Sequence, residues 1–164
     1  MEPEEESDGS TRHSEFVATD RQTGFRVAVE AKARNRRQSD RNPETTGVYD
    51  LIEDAAGKAP ADKPFVLFVN VAMAPEERDA RPKWMDEVDG HMKTIMAKYG
   101  GTSPFDLVIF TNMPEEYGTA DNPDPSNHYV VWMPRKTRIP PETLRALDAA
   151  LRQSGQIPDF DTGS

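Results

Sequence analysis

The sequence predicts an α/β protein with a mixed central sheet flanked by helices. An alternating stretch, FRVAVEAKAR (25–34), follows a turn and predicts the second strand of an antiparallel hairpin. Two continuous apolar runs, FVLFVNVA (65–72) and DLVIFTN (106–112), are typical of strands covered on both faces. Helical patterns separate these strands, and such β-α-β units require right-handed crossovers in a partly parallel sheet.

The first half of the chain predicts a hairpin followed by a helix. EFVATD (15–20) predicts the first strand, and DRQTG predicts a turn in which Gly24 takes a positive φ. After a polar connection, GVYDLIEDAAGKA (47–59) predicts a helix, with Thr45 or Thr46 as its N-cap. The apolar stripe of this helix consists of Val48, Leu51, Ile52 and Ala55.

The second half predicts two further helices and a last strand. PKWMDEVDGHMKTIMAKYG (82–100) has apolar residues at helical spacing, and Gly100–Gly101 ends it. HYVVWMP (128–134) predicts a short strand. PPETLRALDAALRQSG (140–155) predicts an amphipathic helix with Leu144, Leu147 and Leu151 in one row.

Length and composition predict one domain with mobile ends. The chain has 164 residues, and we expect an acidic disordered tail over 1–13, a single domain over 14–157 and a C-terminal tail over 158–164. The absence of cysteine excludes disulfides, thiolate catalysis and cysteine-based zinc sites. An acidic start and the lack of a long apolar run predict a soluble, cytoplasmic protein with no membrane partner.

Charge is unevenly distributed along the chain. The formal net charge of −9 argues against a nonspecific nucleic-acid binder. A basic block over residues 21–41 nevertheless extends from the hairpin turn through the second strand into the polar connection, and it is either a phosphate-facing patch or a solvated loop.

The predicted hairpin brings two acids and a lysine together. With a four-residue loop, Asp20 lies opposite Phe25, and five steps back along the hairpin Glu15 lies opposite Glu30. Alternation places Glu30 and Lys32 on the same face, which we expect to be the polar, non-core face. Directly opposed carboxylates repel each other unless a cation lies between them. A shift of the hairpin register by one residue would instead move the Glu15 side chain to the other face of the sheet.

Such a trio is suited to phosphodiester hydrolysis. Hard cations such as Mg²⁺ bind through one or two carboxylates together with waters and phosphate oxygens. The ion polarises the phosphodiester and lowers the pKa of a bound water, which a neighbouring lysine positions or deprotonates. We therefore expect Glu15 and Glu30 to bind Mg²⁺ (or Mn²⁺) and Lys32 to act on the attacking water.

Glu30-Ala31-Lys32, preceded by an acid at the start of the previous strand, resembles the signature of the restriction-endonuclease-like superfamily, PD-(D/E)XK. The resemblance covers residues 14 to 72. It implies a core of a helix, a three-stranded meander, a helix and a further strand, and Mg²⁺-dependent cleavage of nucleic acid. We expect DNA ahead of RNA as the substrate, and the sequence leaves the choice between them open. If the site binds nucleic acid, three arginines of the basic block are expected to face its phosphate backbone: Arg34, Arg36 and Arg37.

The chain departs from that family in two ways. Ser14-Glu15 replaces the proline–aspartate pair, and only fourteen residues precede Glu15 where the family has a helix and a strand. One alternative is therefore a shortened chain. The other is a catalytically inactive module, in which a protein partner or a second copy covers the open edge of the sheet. Helix phase leaves open whether Tyr49 and Lys58 also reach the site.

Overall fold

The computed structural model describes residues 2–3, 15–21, 23–34, 46–73, 82–112, 128–153 and 157–159. The strands and helices of these residues, in chain order, are β1 (Glu2–Pro3), β2 (Phe16–Thr19), β3 (Arg26–Ala33), α1 (Tyr49–Ala56), β4 (Phe65–Asn70), α2 (Lys83–Lys98), β5 (Leu107–Asn112), β6 (His128–Trp132), α3 (Pro141–Gln153) and β7 (Ile157–Asp159). The predicted α/β class is confirmed, and each of the eight elements predicted from the sequence is present.

The strands form one mixed, open sheet in the order of the chain. β2 and β3 are antiparallel, β3, β4 and β5 are parallel, and β6 returns antiparallel to β5. The short strands β1 and β7 extend the two edges. Neither was predicted: Glu2–Pro3 and Pro158–Asp159 fall within the predicted tails, whose other residues, 1, 4–13 and 160–164, lie outside the described residues.

The hairpin register is the predicted one. Phe16 pairs with Val29 and Thr19 with Arg26. At the turn, the Asp20 amide donates to the Phe25 carbonyl and the Gly24 amide donates to the Asp20 carbonyl, both at 2.8 Å. Gly24 has a φ of 72°, a conformation that glycine adopts without the steric cost of a Cβ. The turn therefore fixes which residues of β2 and β3 face each other.

Helices cover both faces of the sheet. On one face, the buried side chains of Phe65 and Leu67 pack with Ile52 of α1 and Met92 of α2. On the other face, Val66, Leu107 and Ile109 pack with Ile139, against the partly buried leucines of α3. Apolar burial on both sides explains why β4 and β5 lack a polar alternate face.

This arrangement corrects the prediction for β3. Ala28 belongs to the core beneath α1, and Glu30 and Lys32 follow it on the same face. Glu30 is completely buried. The expectation that Glu30 and Lys32 lie on a non-core face is therefore wrong, because α1 covers the face that the alternation marked as polar.

The prediction that Thr46 caps the amino end of α1 is also wrong. Thr45, the alternative cap, lies outside the described residues. The helix begins after Val48 without a side-chain capping bond. Thr46 is buried, and its amide and hydroxyl both donate to the Glu87 carboxylate of α2 at 2.8 Å. Thr46 thus joins the two helices instead of ending one of them.

A second polar node joins the amino ends of the parallel strands. The Asp106 carboxylate, which is nearly buried, accepts hydrogen bonds from the Phe65 amide at 2.9 Å and from the Arg138 amide at 2.8 Å. The Arg138 guanidinium adds an ion pair with an Nη2–Oδ2 distance of 2.8 Å. This node fixes the starts of β4 and β5 to the segment that enters α3.

Among the residues that the structure describes, no helix combines the length and the apolar character needed to cross a bilayer.

Candidate active site

Glu30 lies in the middle of the hairpin strand, where its side chain is fully buried. Its Oε2 accepts a hydrogen bond from the backbone amide of Glu15 at 3.1 Å. In return, Oε2 of the exposed Glu15 side chain accepts from the Ala31 amide at 3.1 Å. The Glu30 carboxylate therefore binds the backbone of Glu15, and the Glu15 carboxylate binds the backbone of the residue that follows Glu30. Extending the β2–β3 register by one pair brings these two residues opposite each other, as the sequence predicted.

Two ammonium groups bind the remaining oxygen of Glu30. The Nζ atoms of Lys32 and Lys58 lie 2.8 Å and 2.7 Å from Glu30 Oε1. Both lysine side chains are partly buried, with exposed fractions of 17% and 28%. Because a buried carboxylate is costly without a partner, this double pairing explains how Glu30 is tolerated beneath α1.

Helix α1 supplies a third acid, and the turn that follows the helix supplies Lys58. The helix packs on the sheet through Ile52, Ala55 and Ala56, and Lys58 lies just beyond its end. Asp54 lies one turn before Lys58, and its Oδ2 is 2.8 Å from Lys32 Nζ and 3.6 Å from Lys58 Nζ. We refer to Glu30, Lys32, Asp54 and Lys58 as the charged cluster.

The charged cluster keeps Lys32 protonated. Burial alone would lower the pKa of Lys32, but its hydrogen bonds to Asp54 and Glu30 outweigh burial and raise that pKa above its ordinary value. The same contact lowers the pKa of Asp54, chiefly through the hydrogen bond from Lys32. In this geometry Lys32 is therefore a charged hydrogen-bond donor, which is what the positioning role predicted for it requires.

Of the three predicted phosphate-facing arginines, Arg34 is the one that lies among the described residues. Arg34 is buried, and its Nη1 donates to the Met73 sulfur at 2.8 Å. Its guanidinium therefore packs inside the protein, at the carboxyl end of β3. Arg36 and Arg37 lie outside the described residues.

Of the two residues on or near α1 that were left open, Lys58 reaches the site. Tyr49 packs edge-on against His91, with ring centroids 5.6 Å apart. Asp54 was missed by the sequence analysis altogether. The signal that could have found it is its spacing of four residues from Lys58, which places both on one side of the helix.

The donor set is suited to a hard cation such as Mg²⁺. Glu15 and Glu30 offer carboxylate oxygens, and magnesium commonly uses only one or two such ligands and keeps its waters. The described residues contain no group of three or more histidine, cysteine or acidic side chains arranged for a metal ion. A cation at Glu30 would also have to share or replace the ammonium groups on Oε1.

Comparison with protein-family models, with curated proteins and with solved structures found no match for this chain.

Proposed function

We propose that this protein is a divalent-metal-dependent phosphodiesterase that acts on nucleic acid. One observation carries the proposal. The hairpin register brings Glu15 against Glu30, and the Lys32 ammonium lies 2.8 Å from Glu30 Oε1. Two hard oxygen ligands beside a fixed ammonium group are the elements that metal-assisted phosphodiester cleavage requires.

The order of the elements supports a restriction-endonuclease-like fold. β1, β2 and β3 form an antiparallel meander, α1 follows, and β4 returns parallel to β3. This is the meander–helix–strand order implied by the sequence resemblance. The charged cluster lies on the β3 face under α1, toward the carboxyl half of a parallel strand, where open α/β sheets commonly bind their ligands.

Each side chain has a distinct role in this proposal. Glu15 and Glu30 hold Mg²⁺ or Mn²⁺, which when bound polarises the phosphate and lowers the pKa of a water ligand. Lys32 would lie beside the metal-bound water as an ammonium group and would offset the negative charge that develops on the phosphate oxygens, while that water would lose its proton to solvent. Lys58 adds a second positive charge on the same side of Glu30.

A second candidate is a catalytically inactive module that binds a protein partner. Its support is the burial of Glu30, whose carboxylate is satisfied by Lys32, Lys58 and the Glu15 amide without a metal ion. In this case the charged cluster only stabilises the packing of α1 on β3. The two candidates differ in what a divalent cation does to the protein.

Metal titration of the purified protein separates them. The nuclease predicts that Mg²⁺ or Mn²⁺ raises the melting temperature, and that Glu30→Gln abolishes the rise. Glu53→Gln is the matched control, because Glu53 is a neighbouring acid of α1 that pairs with Lys98 outside the charged cluster.

Cleavage assays complete the test. Plasmid DNA, single-stranded DNA and RNA are each incubated with the protein and Mg²⁺ or Mn²⁺. Cleavage that requires the metal and disappears in Lys32→Met supports the nuclease. No thermal shift with either metal, together with intact substrates, would leave only the inactive module.

A further inference from the structure

In the charged cluster, each of the two lysines lies within ion-pair distance of both carboxylates. Lys32 Nζ is 2.8 Å from both Glu30 Oε1 and Asp54 Oδ2. Lys58 Nζ is 2.7 Å from Glu30 Oε1 and 3.6 Å from Asp54 Oδ2. Each ammonium group therefore has a second carboxylate within reach, without any movement of the backbone.

We propose that Asp54 is a positioning residue, the acceptor that keeps the ammonium groups of Lys32 and Lys58 at the site when Glu30 binds a divalent cation. The inference rests on the proposed function, since it concerns what the lysines do once Glu30 is occupied. Asp54 itself binds neither metal nor substrate in this proposal.

The charge balance of the cluster is the reason why the lysines need Asp54 when a cation binds. The charged cluster is neutral as it stands, with two carboxylates and two ammonium groups. A divalent cation on Glu30 Oε1 would compete with both lysines for that oxygen and would repel them. With Asp54 present, the ammonium groups keep one close anionic partner and stay beside the phosphate site instead of turning out to solvent.

The difference in solvent exposure between Glu30 and Asp54 fits their proposed roles as metal ligand and as acceptor for the lysines. Glu30 is fully buried, whereas 58% of the Asp54 side chain is exposed. An exposed carboxylate stays hydrated and keeps its charge whichever lysine it binds. A purely structural ion pair so exposed adds little to stability, so removal of Asp54 is expected to have little effect on the unfolding of the metal-free protein.

The first arm of the test uses no metal. Glu30→Gln removes the charge of the shared acceptor, so the lysines should then depend on Asp54. The acylation rates of Lys32 and Lys58 by an N-hydroxysuccinimide ester are measured by peptide mass spectrometry at a temperature where circular dichroism confirms the fold. We expect Asp54→Asn in the Glu30→Gln background to raise both rates about five- to tenfold. Glu53→Gln in that background should change neither rate, and equal rates with and without Asp54 would overturn the proposal.

The second arm uses Mn²⁺ alone and retains Glu30. The dissociation constant is followed by thermal shift, and Asp54→Asn is expected to raise it about tenfold, whereas Glu53→Gln leaves it unchanged. Mn²⁺ binding that is the same in wild type and Asp54→Asn would overturn the role of Asp54 and leave the proposed function intact. If wild type binds no Mn²⁺, the proposed function fails instead, and the acylation arm still decides whether Asp54 holds the lysines.

Discussion

The pairing of Glu30 with both Lys32 and Lys58 predicts that Glu30→Gln has opposite effects on stability, depending on whether the two lysines are present. Glu30→Gln in the wild-type protein removes the acceptor of two ammonium groups at 2.8 Å and 2.7 Å. Hydrogen bonds to charged groups contribute about 1.5–3 kcal/mol each. Because the two lysines are partly exposed and Lys32 keeps Asp54, we expect the free energy of unfolding to fall by a total of about 2 kcal/mol.

The second background is the double variant Lys32→Met and Lys58→Met. It leaves the fully buried Glu30 carboxylate with a hydrogen bond from the Glu15 amide and without its two ammonium partners. Breaking a buried pair by removing its partner typically costs about 3–5 kcal/mol. Adding Glu30→Gln there removes the uncompensated charge, so we expect the free energy of unfolding to rise by about 2–3 kcal/mol.

Urea denaturation followed by tryptophan fluorescence measures both differences, with Trp84 of α2, which is buried in the core, as a reporter. Lys98→Met with Glu53→Gln provides a matched control, because that pair lies on the helix surfaces and should show no change of sign. Destabilisation of the double-methionine variant by Glu30→Gln, as in the wild type, would contradict this expectation, since Glu30 would then not depend on the two lysines.

Three further predictions concern the fold. Asp106→Ala should lower the free energy of unfolding by about 3 kcal/mol in urea denaturation at pH 7, since it breaks the ion pair and backbone bonds with Arg138. Burial would raise the pKa of Asp106, but hydrogen bonds from Arg138 outweigh it and hold that pKa below its ordinary value. The stability from this group is therefore complete above about pH 4 and lost as pH falls through the lowered value, so urea midpoints measured from pH 6 to 2 should fall less steeply in Asp106→Asn. Thr46→Val should cost about 1–2 kcal/mol by the same assay, because Glu87 loses its hydroxyl donor and keeps the amide. Ala72→Gly should raise the melting temperature, with a gain of about 0.5 kcal/mol, because Ala72 has a φ of 46° that favours glycine.

The hairpin and its register were predictable because they depend on local chemistry. Gly24 provides the positive φ of a short turn, and the length of that turn fixes the pairs that follow. β4 and β5 were likewise predictable, because each strand contains a continuous run of apolar residues. The approach of Glu15 to Glu30 follows from the register alone, so this part of the candidate site could be read from the sequence.

The surroundings of Glu30 could not be predicted in the same way. A glutamate and a lysine two residues apart in a strand are typical of a solvated face, and nothing local signals that α1 covers them. The second cation, Lys58, is 28 residues away in the chain and reaches Glu30 through the packing of α1 on the sheet. The short strands β1 and β7 were missed because their pairing depends on the neighbouring strand and not on an alternating pattern of their own.

The position of the Asp106–Arg138 node has a consequence for how this protein tolerates change. The node braces the start of β4 and β5, whereas Glu30 and Lys32 lie in the second half of β3, closer to the opposite rim of the sheet. The node and the Glu30–Lys32 half of β3 thus lie toward different ends of the strands. Residues near Lys32 can therefore be exchanged in a directed-evolution library while the node preserves the architecture, whereas the segment after Lys58 has to be kept because its Ala61 carbonyl accepts from Arg138.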